Sequence, residues 1–102
     1  MAHFSYSPEG DALAVFKKSE KVDYIVELFE DYFIDIGKNG KIVGLEILNA
    51  SSALDLKKSD LKNIKKAELY TSEAKGGRNV FFILKVNEKE IKSQIRVPAF
   101  SA

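Results

Sequence analysis

Cysteine is absent from the 102 residues, which removes disulfides, thiolate nucleophiles, zinc ribbons and iron–sulfur ligation from consideration. Stability therefore has to come from packing. Tryptophan is missing too, and methionine occurs once. With abundant Lys and Glu, that is a composition favoured by heat-adapted intracellular proteins, and thermophily is one expectation. The single histidine is His3, beside the terminus, so no second imidazole can share a metal and no Ser-His-Asp triad is expected. No metal site and no cofactor are read from the sequence. The longest purely apolar run is Val80 to Leu84, far short of the roughly 20 residues that span a bilayer. No basic region followed by an apolar stretch opens the chain, so a cytoplasmic protein without a membrane partner is expected.

What is present fits one domain over residues 1–102. At 45% hydrophobic and 30% charged, the chain has material for a single core. Net charge is only +1, which lacks the signature of a histone-like or membrane-coating protein. The charge is segregated, however. Residues 1–50 hold nine acids and five bases, whereas residues 51–102 hold six acids and eleven bases. The acidic stretch 20–35 and the basic stretch 57–66 could dock within a molecule, between copies, or on a partner.

Strand signals dominate. Phe4, Tyr6, Leu13 and Val15 alternate with small or polar residues on either side of Pro8-Glu9-Gly10-Asp11, which reads as a hairpin with Gly10 free to take a positive φ. Val22 to Phe29 alternates as a strand, with a helix as its alternative. Asn39-Gly40 should close a tight hairpin between Tyr32–Ile36 and Ile42–Leu48. That register sets Ile36 across from Val43, Ile34 from Leu45 and Tyr32 from Ile47 on an apolar face. Asp35 beside Gly44 and Phe33 beside Glu46 then share the other face. A bulge at Gly40 would shift it.

From Ser51 to Lys65 the pattern turns helical, with Ser51, Ser52 and Ser59 as capping candidates and Leu61 and Ile64 on one face. Ala67–Thr71, Val80–Val86 and Glu90–Val97 follow as strands, the second central because its apolar run suits a strand covered on both faces. The fold expected is α+β: one twisted antiparallel sheet of about seven short strands. Four precede a short helical segment near residues 51–65 and three follow it.

The run from Tyr32 to Ser51, preceded by Tyr6-Ser7-Pro8-Glu9-Gly10-Asp11-Ala12-Leu13, resembles the domain of unknown function 2283 family. Its members look like small prokaryotic proteins with a Tyr-Asp-x-x-x-Asp-Ala-Leu opening and a Gly-Ile-Glu-Ile-Leu-Asp-Ala-Ser close. Ser7, Leu45 and Asn49 depart from that pattern here. The resemblance implies no established activity and no assigned catalytic residues. The Lys-rich helix and strand tail look like an archaeal extension of it. Some members are encoded beside small toxin-like proteins, which implies an antitoxin-like binding role.

Three functional readings follow from the residues. The first is a non-enzymatic protein-interaction module, docking on a protein partner or on itself as a homodimer, with Phe29, Phe33 and Phe100 as an exposed aromatic patch. The second is nucleic-acid binding by Lys57, Lys58, Lys62, Lys65 and Lys66, although no aromatic or Arg is interleaved among them to read bases. The third is a carboxylate enzyme using Asp35 and Glu46, diagonal neighbours about 7–8 Å apart, with Asp11 completing an acidic face. Lys75-Gly76-Gly77-Arg78 lacks phosphate-loop spacing and is read as a hairpin turn.

Overall fold

Eight strands and two short helices follow one another in the computed structural model, which describes residues 2–18 and 20–98. Strand β1 (His3–Ser7) pairs with β2 (Ala12–Phe16) as an antiparallel hairpin, with Phe4 opposite Val15 and Tyr6 opposite Leu13. Its turn differs from expectation in one respect: Asp11, at φ 50°, takes the left-handed conformation rather than Gly10. Asp tolerates that region because its short polar side chain can bond locally.

Three more strands complete a five-stranded sheet in the order β1-β2-β5-β4-β3. They are β3 (Tyr24–Phe29), β4 (Tyr32–Ile36) and β5 (Ile42–Ile47). Asn39 (φ 63°) and Gly40 (φ 75°) occupy the β4–β5 turn, and Lys41 donates its N–H to the Lys38 carbonyl at 3.4 Å. Two consecutive left-handed residues match the twist of a hairpin, which is why Asn-Gly closes it. The expected register holds for Tyr32–Ile47, Phe33–Glu46, Ile34–Leu45 and Asp35–Gly44. At the turn end it slips: Ile36 faces Ile42 rather than Val43, because β5 carries one extra residue. Val43 is buried all the same, under Gly37, where a Cβ would stand 2.8 Å from the Val43 Cγ1.

The expected helical segment over 51–65 is replaced by two single turns, α1 (Ala50–Leu54) and α2 (Lys58–Leu61). Asp55, left-handed at φ 54°, ends the first. The serines are not the caps. The Ser51 N–H is held by Asp11 from the β1–β2 turn, and the Asp60 carboxylate accepts the Lys57 N–H at 3.2 Å. The chain is extended again by Ile64, so Lys65 and Lys66 lie on a strand, not on a helix.

That strand, β6 (Ile64–Ala74), pairs with β7 (Gly77–Val86), which pairs with β8 (Lys89–Pro98). The molecule is therefore mostly antiparallel sheet with a little helix, as expected. Its strands form sheets of five and three, however, not one sheet of about seven. The two sheets touch at their edges, where the Ala2 N–H reaches the Ala67 carbonyl at 3.3 Å.

One apolar cluster draws on both sheets. Leu13, Val15, Ile34, Leu45 and Ile47 come from the first, Leu69, Phe82, Leu84 and Val97 from the second, and Leu61 from α2. Each such side chain is worth roughly 1.5–3 kcal/mol of burial. Strand β7 is central, as expected, but its apolar run is not covered on both faces. Val80, Phe82 and Leu84 point into the core, while Phe81 and Ile83 are half-buried on the outside, beside Tyr70, Gln94 and Lys92. Among the described residues no helix is long and apolar enough to cross a membrane.

Candidate functional site

The outer face of the five-stranded sheet holds an unusual carboxyl. Strand alternation sends Ile34 and Ile36 into the core and Asp35 the other way, yet Asp35 is only 6% exposed and its Oδ1 has no hydrogen-bond partner. The ladder explains the burial. Across four strands the row reads Phe16, Gly44, Asp35, Ile25, and the next row reads Ala14, Glu46, Phe33, Glu27. Gly44 is needed beside the acid, since a Cβ there would stand 2.5 Å from Asp35 Oδ2. Burial, then a hydrogen bond with Glu46, then the Glu46 charge push the Asp35 carboxyl up to about 7. Asp35 and Glu46 thus share one outward face, where the Glu46 charge works against ionisation of Asp35.

Asp11 is not part of that pair. Its carboxylate accepts the Tyr6 hydroxyl at 2.7 Å and the Ser51 hydroxyl at 2.6 Å, together with the Ser51 N–H, while its carbonyl accepts the Ala50 N–H at 2.9 Å. Burial opposes its charge, but the bonds from Ser51 and Tyr6 win, with Lys58 adding to them, and the pKa falls below the usual carboxylate range. The same environment pushes the Tyr6 hydroxyl up to about 12, through burial first and the Asp11 bond second. Asp11 is a clamp between the first hairpin and α1. No group of three or more His, Cys, Asp or Glu able to hold a metal occurs among the described residues.

The aromatic candidates separate. Phe33 lies half-buried on the outer face opposite Glu46. Phe29 sits 51% exposed at the end of edge strand β3, against Tyr32 at a ring distance of 4.7 Å. Phe100 lies outside the described residues. Lys57, Lys58, Lys62 and Lys65 are exposed, and Lys66 pairs with Glu68 at 3.6 Å. Because Lys65 and Lys66 belong to β6, the basic cluster is divided between a helical turn and a strand. No ion pair among the described residues joins it to the acidic stretch 20–35; Glu20 is bonded instead to Lys41 at 3.1 Å.

Residues 3–51 match the family model described as "Protein of unknown function (DUF2283)". This stretch belongs to that family. An uncharacterized protein of Methanocaldococcus jannaschii is 44% identical over 64 residues, which are 62% of this chain and 54% of that protein. A Methanosarcina mazei protein named "Putative hypoxanthine phosphoribosyltransferase" is 34% identical over 62 residues, 61% of this chain and 50% of the relative. The chain thus spans about half the length of these two relatives. No solved structure matches it.

Both carboxyl arrangements, the Tyr6–Asp11–Ser51 clamp and the Asp35–Gly44–Glu46 cluster, fall inside the DUF2283 stretch, whereas the lysine cluster and the three-stranded sheet fall outside it. Sequence reasoning placed Gly44 beside Asp35 but did not find Phe16 or Ile25 on either side of them. Parity along each strand placed them on outward faces. What was missing was the strand order, which sets β2 beside β5 and so brings Phe16 level with Asp35.

Proposed function

We propose that this chain is a non-enzymatic protein-interaction module whose docking face is the outer surface of β3, β4 and β5. The observation that carries the reading is the apolar belt around the paired carboxyls. Ile25 is 55% exposed there, with Phe16 and Phe33 half-buried beside it. An exposed apolar patch rimmed by charge is how interaction surfaces present themselves, and the acidic excess of residues 1–50 would steer a basic partner toward it. An antitoxin-like role would be one instance of such binding. The transferase name of the Methanosarcina mazei relative is not carried over, because half of that protein lies outside the match.

A photo-crosslinking residue at position 25 tests the reading. One chain should be captured from native extract, and the purified pair should then lose affinity roughly tenfold or more on Ile25→Lys with Phe33→Ser. Capture unaffected by those changes sinks it.

A second reading keeps one observation of its own. Lys57, Lys58, Lys62 and Lys65 are exposed and enter no ion pair among the described residues. Nucleic-acid binding through them would weaken steeply with salt and drop on Lys62→Glu with Lys65→Glu. The enzyme reading has less support. A raised carboxyl pKa suits a proton donor, but Phe16, Ile25, Phe33 and Gly44 around the pair bring no nucleophile to it.

A further inference from the structure

Native proteins leave very few buried polar atoms without a hydrogen bond, because each one destabilises the fold. Asp35 Oδ1 is such an atom. The side chains that share its face along the paired strands are Phe16 on β2, Glu46 on β5, Phe33 on β4, and Ile25 and Glu27 on β3. None of them carries an N–H or a cation. Glu46 is a second acid on the same face, so acceptor oxygens outnumber donors there.

Resting on the docking face proposed above, we infer that the partner presents an arginine flanked by apolar residues, whose guanidinium seats on the Asp35–Glu46 pair. A planar fork of N–H groups can serve two neighbouring carboxyl groups at once, which the compact ammonium of lysine does less well. Phe33, cross-strand from Glu46, offers a ring on which a guanidinium stacks. Ile25 and Phe16 then meet the apolar flanks. Glu46 is only half-buried and forms the way in.

A second copy of this chain docking face to face does not fit. It would bring Asp35 and Glu46 against their own equivalents, acid on acid, with no donor gained. The occupant is therefore a different polypeptide.

The test is selection of a displayed library of random peptides on the purified chain, followed by affinity measurement of the enriched peptides. Arginine between apolar residues should be enriched. Those peptides should bind Asp35→Asn and Glu46→Gln roughly tenfold or more weaker, while both variants still melt cooperatively. Replacing the peptide arginine by glutamine should cost as much.

Peptides lacking a basic residue, bound equally by Asp35→Asn but lost on Ile25→Lys with Phe33→Ser, would overturn the arginine while leaving the docking face. Peptides indifferent to all four substitutions would remove both. An empty selection would also overturn the inference.

Discussion

Two aspartates on the same five-stranded sheet live under opposite rules. Asp11 stands at a turn where Tyr6, Ser51 and the first turn of α1 all aim donors at it, so its charge is held and its pKa falls. Asp35 stands mid-strand between apolar neighbours and a second acid, so its charge is resisted and its pKa rises to about 7. Both are largely withdrawn from water; what differs is the count of donors. Burial alone does not decide what a carboxyl does. The first is committed to holding the fold, and the second keeps an unfilled acceptor on an outward face.

The sharpest way to break this contrast is to remove the clamp. Asp11→Ala strands the Tyr6 hydroxyl and frees the start of α1, and it loses a carboxylate that joins segments 40 residues apart in the chain. Losing charge-assisted bonds of this kind should lower stability by about 2–4 kcal/mol, read as a fall in the urea midpoint. Asp11→Asn, which keeps the acceptor but not the charge, should recover part of it. A loss below about 0.5 kcal/mol for Asp11→Ala would show that the clamp holds little.

The two acids should also answer pH on different limbs. Asp35 has a folded pKa above its unfolded one, so its protonated form favours the fold. That stability is full below pH 4 and is lost as pH rises toward and through about 7. Asp11 has a lowered pKa, so its contribution is present above pH 4 and is lost as pH falls further into acid. Asp35→Asn keeps the shape and removes the proton. Relative to the natural chain, it should therefore gain about 2 kcal/mol between pH 4 and pH 8, measured as the difference between two denaturation series. A flat difference would mean that Asp35 carries its charge without strain.

Much of this was legible in the residues, and what was not has a physical reason. Asn39-Gly40 specified its own turn, because only that kind of dipeptide accepts two left-handed conformations in a row. Parity then fixed Asp35 and Glu46 on the outward face. The bulge at Val43 was not legible, since Ile42 and Val43 are both apolar and either could face Ile36. The helix over 51–65 was overestimated, because lysines suit an exposed strand as readily as a short helix and Asp55 gave no sign that it would turn left-handed. The division into two sheets was hidden too. It depends on which edges meet in space, and pairing across Ala2 and Ala67 leaves no trace in local pattern. The unpartnered oxygen of Asp35 needed the strand order before anyone could count its donors.

The smallest effect probes the space beside Asp35. Gly44→Ala puts a Cβ where Asp35 Oδ2 stands, at 2.5 Å, with the Asp35 Cβ at 3.3 Å. The carboxyl is the movable party, but it is short and confined, so the change should cost about 1–2 kcal/mol. In an Asp35→Ala background the obstructing oxygen is gone and only the Cβ contact at 3.3 Å remains, so the same substitution should cost about 0.5 kcal/mol or less. The mismatch between the two is a coupling energy of about 1 kcal/mol in a double-mutant cycle. If the costs are equal in both backgrounds, Gly44 is serving the backbone of β5 rather than the carboxyl beside it.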